Sequence, residues 1–341
     1  MEKLLTISIA AYNAASCVGA CLDSIVASQE IDAIEVIVVN DGSTDDTAGV
    51  VGKYVQSYPQ SVRLIDKPNG GHGSTINASR EVATGKYYKI VDADDSVFPA
   101  ALDDLVRRLR SYDCDCVISP YEEVYPDRVR SVGLNEILPN YTCEAGKMIR
   151  IDDIADCLSL RMHTLTLRTG IVRSMRAIDE KCFYVDVEYL IYQLPFIDTV
   201  VILDSPVYRY TLGNGEQSVS SKNMEKRIAQ HEKVVLTLTN FYTEVSPTLS
   251  PSKRLLMQRR INEMVSANYL IYLRMDSVDK GCKVKQFDEQ LKASPEIYET
   301  CIEKQAGKGR LSDYCVRSLR KHGFKNFLGV HRFVRAWDAI H

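Results

Sequence analysis

At 341 residues the chain is long enough for a substantial core and for two domains rather than one. Apolar residues at 45% and charged residues at 26% are ordinary for a globular protein, and a formal net charge of -3 argues against a nucleic-acid partner. The ten cysteines include no C-x-x-C pair, which excludes the usual zinc and thioredoxin-type spacings and leaves reduced thiols of a cytoplasmic protein as the expectation.

The opening apolar stretch, Leu4–Ala11, contains Thr6 and Ser8 and is too short for a signal sequence; it predicts a first buried strand, Leu4–Ala10. No run of eighteen apolar residues predicts a membrane span. Val18, Cys21, Leu22, Ile25 and Val26 line one helical face. Strands follow at Ile34–Val39, Val62–Asp66 and Tyr87–Val91, then a helix through Leu102, Leu105, Val106 and Leu109 and a strand at Cys116–Ser119. This alternation predicts an α/β fold with a mostly parallel central sheet, in which ligands gather at the carboxyl ends of the strands. A less regular stretch carries Pro120, Pro126 and Pro139, and the runs Val200–Leu203 and Val207–Tyr210 extend the sheet. The turn-rich Gly213-Asn214-Gly215 places a domain boundary near 215, between 1–215 and a helical region at 216–341 that breaks near Pro247–Pro251 and near Gly281.

Three strand ends carry unusual chemistry. After the second strand comes Asn40-Asp41-Gly42-Ser43-Thr44-Asp45-Asp46, where Ser43 or Thr44 is expected to cap a helix whose first turn holds Asp45 and Asp46. Asp41 precedes the cap and is a candidate nucleobase ligand. After the third strand, Asn69-Gly70-Gly71-His72-Gly73-Ser74 is either a tight turn at a helix start or a cradle of backbone amides for phosphate, but it lacks P-loop spacing. His72 is expected in a solvated loop. After the fourth strand comes Asp92-Ala93-Asp94-Asp95. Three carboxylates in four residues repel one another, so either their pKa values rise or a cation neutralises them; hard oxygen ligands suit Mg²⁺ or Mn²⁺.

Taken in order with Ile7-Ser8-Ile9-Ala10-Ala11-Tyr12-Asn13, Cys21-Leu22-Asp23-Ser24-Ile25 and Ala83-Thr84-Gly85-Lys86-Tyr87, these motifs resemble the family 2 glycosyltransferases of GT-A fold, over residues 4–110. The resemblance implies nucleobase contacts at Ala11, Tyr12 and Asp41, and further nucleotide contacts at Asp92 and Asp94. It implies a metal at Asp94 and Asp95, and the donor sugar near Gly71, His72 and Gly73. By the same resemblance Asp186, in Tyr184-Val185-Asp186-Val187-Glu188, is the base of an inverting transfer, with Glu188 as the fallback; Val185 stands where a glutamate is common. Ala11 replaces a common proline, and the loop after Gly71 lacks the frequent arginine, so the donor sugar is not named. Tyr208-Arg209-Tyr210, with Gln217-Ser218 beyond, is loosely similar to a segment that closes such sites.

The expected partners are a nucleotide-diphosphate sugar, UDP being usual in the family, and a saccharide or lipid-linked acceptor. The C-terminal stretch mixes Arg317, Arg320, Lys321, Lys325, Arg332 and Arg335 with Leu319, Phe324, Phe327, Leu328, Phe333 and Trp337. It reads either as a helix packed on the protein or as a basic amphipathic face for peripheral membrane contact, with Gly323 and Gly329 interrupting it. A sugar-phosphate nucleotidyltransferase is disfavoured because Ala10-Ala11-Tyr12-Asn13 replaces the glycine-rich basic loop expected after its first strand. A silent nucleotide-sugar-binding protein is the other alternative.

Overall fold

The computed structural model describes residues 2–213, 225–275, 279–302 and 311–340. The chain forms two compact units, Met1–Gly215 and Glu216–His341.

The first unit begins as a parallel α/β layer: β1 (Leu5–Ala11), α1 (Val18–Val26), β2 (Ile34–Asp41), α2 (Thr47–Ser57), β3 (Val62–Lys67), α3 (His72–Val82) and β4 (Tyr87–Asp92). β1 pairs in parallel with both β2 and β4, and β2 with β3. β1 and β2 are buried along nearly their whole length, as strands covered on both faces must be, which is why they read as continuous apolar runs. β5 (Ser96–Val97) leads to α4 (Pro99–Leu109), where a proline in the first turn starts the helix and Leu102, Leu105, Val106 and Leu109 face inward.

The remaining elements are β6 (Cys116–Ile118), β7 (Tyr121–Val124), β8 (Val129–Val132), α5 (Leu134–Ile137), β9 (Met148–Arg150), β10 (Leu165–Arg168), α6 (Thr169–Ser174), α7 (Asp186–Tyr192), β11 (Thr199–Ile202) and β12 (Tyr208–Thr211). The central sheet has eight strands in the order β3-β2-β1-β4-β10-β6-β11-β9. β10 enters antiparallel between β4 and β6. The run Val207–Tyr210 does not extend this sheet. After β11 the chain turns at Pro206, which has no amide for a ladder, and β12 builds a second sheet, β5-β12-β7-β8. The proline-rich stretch likewise holds the β7–β8 hairpin, whose exposed Val129, Arg130 and Ser131 give no alternating pattern to read.

The second unit is helical, with Ile228–Val245, Pro251–Arg274, Lys280–Leu291, Pro295–Thr300, Leu311–Lys321 and Phe327–Ile340 described. The chain breaks at Ser246–Thr248, and the Ser250 side chain then caps the next helix at the Lys253 amide. A second break falls just before Gly281, between the helices Pro251–Arg274 and Lys280–Leu291; Gly281 itself lies in the first turn of the latter, where a Cβ would sit 3.3 Å from the Phe327 ring. Gly329 also lies within a helix, whereas Gly323 separates two, at φ 56°. Inside the unit, Arg320 Nε bonds Asp288 at 2.7 Å and Tyr269 Oη donates to the same carboxylate at 2.6 Å. No described helix is long and apolar enough to cross a membrane. None of the ten cysteines is joined in a disulfide among the described residues, and Cys21, Cys114 and Cys116 are buried as small apolar fillers.

Candidate active site

The carboxyl ends of β1, β2 and β4 lie side by side, and their turns are tied to one another. Asn13 takes a left-handed φ of 49°. Its amide donates to Ser43 Oγ at 2.9 Å and its Oδ1 accepts the Thr44 amide at 2.8 Å. Ser43 and Thr44 therefore bridge to the β1 turn instead of capping α2. That helix starts only at Thr47, so Asp45 and Asp46 precede its first turn, and Asp45 accepts the Ala15 amide at 2.9 Å. Ala11 is buried at the end of β1, and Tyr12 beside it is 55% exposed, an aromatic face held toward solvent.

Asp41 is buried and its oxygens are occupied. Oδ1 accepts Lys67 Nζ at 2.7 Å and the Gly70 amide at 2.8 Å, and Oδ2 accepts the Gly71 amide at 2.7 Å. Burial opposes ionisation here, but Lys67 and the two amides outweigh it and hold the carboxyl below its ordinary pKa. Asp41 thus fastens the glycine loop to β2. Gly71 has φ 80°, open to glycine at little cost, and a Cβ there would lie 3.3 Å from the Lys181 backbone. At Gly73 a Cβ would meet the Asp179 carbonyl oxygen at 2.1 Å. These glycines let residues 178–182 pack against the start of α3.

The acidic turn is divided. Asp92 Oδ1 pairs with His72 Nε2 at 3.2 Å, so His72 is engaged at the site and not a free loop residue. Burial would lower the His72 pKa, but Asp92, with Asp186 and Asp41 behind it, raises it above the ordinary value. Asp95 is buried; Tyr208 Oη donates to its Oδ2 and the Thr211 amide to its Oδ1 at 2.6 Å. Burial, with the Asp92 charge beside it, pushes the Asp95 carboxyl up to about 8. Asp94 is exposed at the tip of the turn, its pKa raised by partial burial and by Asp92. Asp92, Asp95 and His163 offer ligand atoms within 4.8 Å of one another, and Asp94 is not in that group.

His163 was not foreseen from the sequence. It stacks on Tyr210 at 4.2 Å between centroids, and its Nδ1 is buried with no hydrogen-bond partner among the described residues. Burial lowers its pKa to about 4, which keeps the imidazole neutral and able to ligate. Below it, buried Lys89 on β4 donates to the carbonyls of His163 at 2.8 Å and Leu165 at 3.3 Å. The lysine inside the apolar run Tyr87–Val91 is a signal that the sequence did contain. Carboxylates with a neutral imidazole fit Mn²⁺ or Mg²⁺, with the nitrogen favouring the softer Mn²⁺.

Asp186 opens α7, partly exposed, and its charge is felt at His72 and Tyr210. Glu188 is fully buried and accepts the Asp179 amide at 2.8 Å. Gln217 and Ser218 lie outside the described residues.

Residues 6–166 match the sequence profile of Glycosyl transferase family 2. That stretch of the first unit belongs to the family. Among individual proteins, the chain is 34% identical over 141 residues to the uncharacterized glycosyltransferase YibD of Escherichia coli, covering 38% of this chain and 40% of the relative. It is 38% identical over 125 residues to chondroitin synthase of Pasteurella multocida, covering 36% of this chain and 13% of that one. The match thus spans well under two thirds of these relatives' own length. Residues 1–349 of S. aureus TarS, solved in complex with UDP-GlcNAc, share the fold with a TM-score of 0.70 at 17% identity, over 98% of this chain and 92% of that one. The glycosyltransferase domain therefore has a GT-A-like α/β core, with a helical region after it.

Proposed function

We propose that the N-terminal unit is the catalytic domain of an inverting transferase that moves a sugar from a nucleotide diphosphate, UDP first among candidates, to a hydroxyl of a bacterial-type polysaccharide or glycolipid. The observation that carries this reading is the gathering of Asp92, His72 and Asp186 into one electrostatic cluster at the strand ends beside exposed Tyr12. The TarS fragment of similar fold was solved with UDP-GlcNAc, which puts UDP-sugars first in the search.

In this reading the base lies against Ala11 and Tyr12, and Asp92 and Asp94 reach the rest of the nucleotide. Asp94 and Asp95 of the acidic turn, with Asp92 and His163 beside them, would hold a divalent cation, whose chemistry is to neutralise charge on the diphosphate leaving group. The donor sugar lies near Gly71, His72 and Gly73. Asp186 accepts the acceptor hydroxyl's proton as the new C–O bond forms, while the old bond breaks and its electron pair leaves with the diphosphate. A single displacement inverts the anomeric carbon. Glu188 is buried and accepts the Asp179 amide, which supports Asp186 over it in this role.

The test is thermal unfolding with UDP, GDP and dTDP, each with and without Mn²⁺, on wild type, Asp94→Asn and Asp95→Asn. A nucleotide at about a hundred times its Kd adds roughly 2.7 kcal/mol, a visible shift. One nucleotide that shifts Tm only with Mn²⁺ and the intact acidic turn supports the donor site and selects the sugar library; no shift for any of them removes it. Asp186→Asn is then expected to keep nucleotide binding and to lose roughly a hundredfold or more in kcat.

For the second unit we propose peripheral contact with an anionic membrane surface. Leu328, Phe333 and Trp337 are exposed on the last helix, and Lys321, Lys325 and Arg332 stand exposed among them with no acidic partner among the described residues. A cytoplasmic site at the membrane's inner face follows from that reading.

A further inference from the structure

Glu188 lies two residues after Asp186 on α7 and is 0% exposed. Helix positions two apart point roughly 200° away from each other, so with Asp186 at the cleft, Glu188 faces the protein interior. There its Oε2 accepts the Asp179 amide at 2.8 Å. The segment it holds is gripped from the other side by α3. Asn77 Nδ2 donates to the Ile178 carbonyl at 2.8 Å, and Asn77 Oδ1 accepts the Ile178 amide at 3.0 Å. The Lys181 amide donates to the Gly70 carbonyl at 2.5 Å, and bare Gly73 makes room for the Asp179 carbonyl. Within this segment Lys181 at φ 51°, and between it and Asp186 Tyr184 at φ 68°, both hold left-handed backbone. Such backbone is unfavourable for a residue with a Cβ and persists only where the surroundings enforce it.

We infer that Glu188 is a positioning residue: its carboxylate and the first turns of α3 clamp residues 178–182 between them, and this clamp sets where Asp186 stands relative to the glycine loop. The inference rests on the reading of Asp186 as the base. It makes the donor-side loop and the base parts of one rigid construction, because Asp41 fixes Gly70 and Gly71, and Gly70 and Gly73 fix the segment that leads to Asp186.

The experiment measures kcat and donor KM with the donor chosen by the nucleotide screen, the Kd of UDP with Mn²⁺ by calorimetry, and Tm. It compares Glu188→Gln, Glu188→Met, Gly73→Ala and Asp186→Asn. Glutamine keeps an oxygen that accepts the Asp179 amide, so Glu188→Gln should stay within about threefold of wild-type kcat. Glu188→Met releases the segment and Gly73→Ala pushes it from the opposite side; each should lower kcat about tenfold or more while the UDP Kd stays within about twofold. Glu188→Gln as inactive as Asp186→Asn would mean that Glu188 handles the proton itself and would overturn the inference. Full kcat in folded Glu188→Met or in Gly73→Ala would overturn it too, since the clamp would then set nothing. Full activity in Asp186→Asn is a separate result, which removes the base assignment and the inference built on it.

Discussion

Single residues decide how the acidic turn handles its charge. Asp95 is held protonated near neutral pH by burial and by the Asp92 charge, while Asp92 stays ionised through its pairing with His72. A divalent cation binding there displaces a proton from Asp95, so binding grows stronger as pH rises. Since the Asp95 carboxyl titrates at about 8, the Kd for Mn²⁺ should fall by up to about tenfold per pH unit below that value and level off above it. Calorimetry at several pH values, in buffers of different ionisation enthalpy, reads both the slope and the released proton. A Kd flat between pH 6.5 and 8 would remove Asp95 from the proton balance. The carboxylates were legible in the sequence because they sit within four residues of one another. Their partners were not: His163 arrives from the turn before β10 and Tyr208 from β12, and no local pattern ties a histidine or a tyrosine to an aspartate so far along the chain.

At the scale of elements, legibility followed burial. β1, β2 and β4 are covered on both faces and announce themselves as apolar runs, and α4 shows its four inward residues at helical spacing. β7, β8 and β10 are four residues each, too short for periodicity to identify them. The last two helices pose a different question, because their apolar residues are divided between inside and outside. Phe327, Val330 and Val334 are buried, whereas Leu328 and Phe333 are exposed. If that outer face meets an anionic bilayer, the chain should co-sediment with vesicles containing about a third phosphatidylglycerol and not with pure phosphatidylcholine. Phe333→Ser with Lys325→Glu and Arg332→Glu should abolish this and leave nucleotide binding intact. Equal sedimentation with both vesicle types would refute an electrostatic contact.

For the whole molecule, the two compact units meet in sequence near Gly215, and the family profile ends at residue 166, inside β10. The profile thus covers the acidic turn and His163 but neither Asp186 nor the β12 strand that clamps Asp95. A fragment of residues 1–213 should therefore fold and bind nucleotide with Mn²⁺, whereas one of residues 1–160 should aggregate; solubility and the nucleotide Tm shift of each decide this. The reason lies in the order in which the central sheet is filled. β4 takes β10 as its outer neighbour, and β10 is made about seventy residues after β4. At roughly 5–20 residues per second, a growing chain waits several seconds with that edge uncovered. An open, apolar strand edge is an invitation to pair with another chain, so the interval is one in which nascent copies are vulnerable to each other. The antiparallel insertion that delivers His163 to the site also sets when the protein first becomes safe from aggregation during its own synthesis.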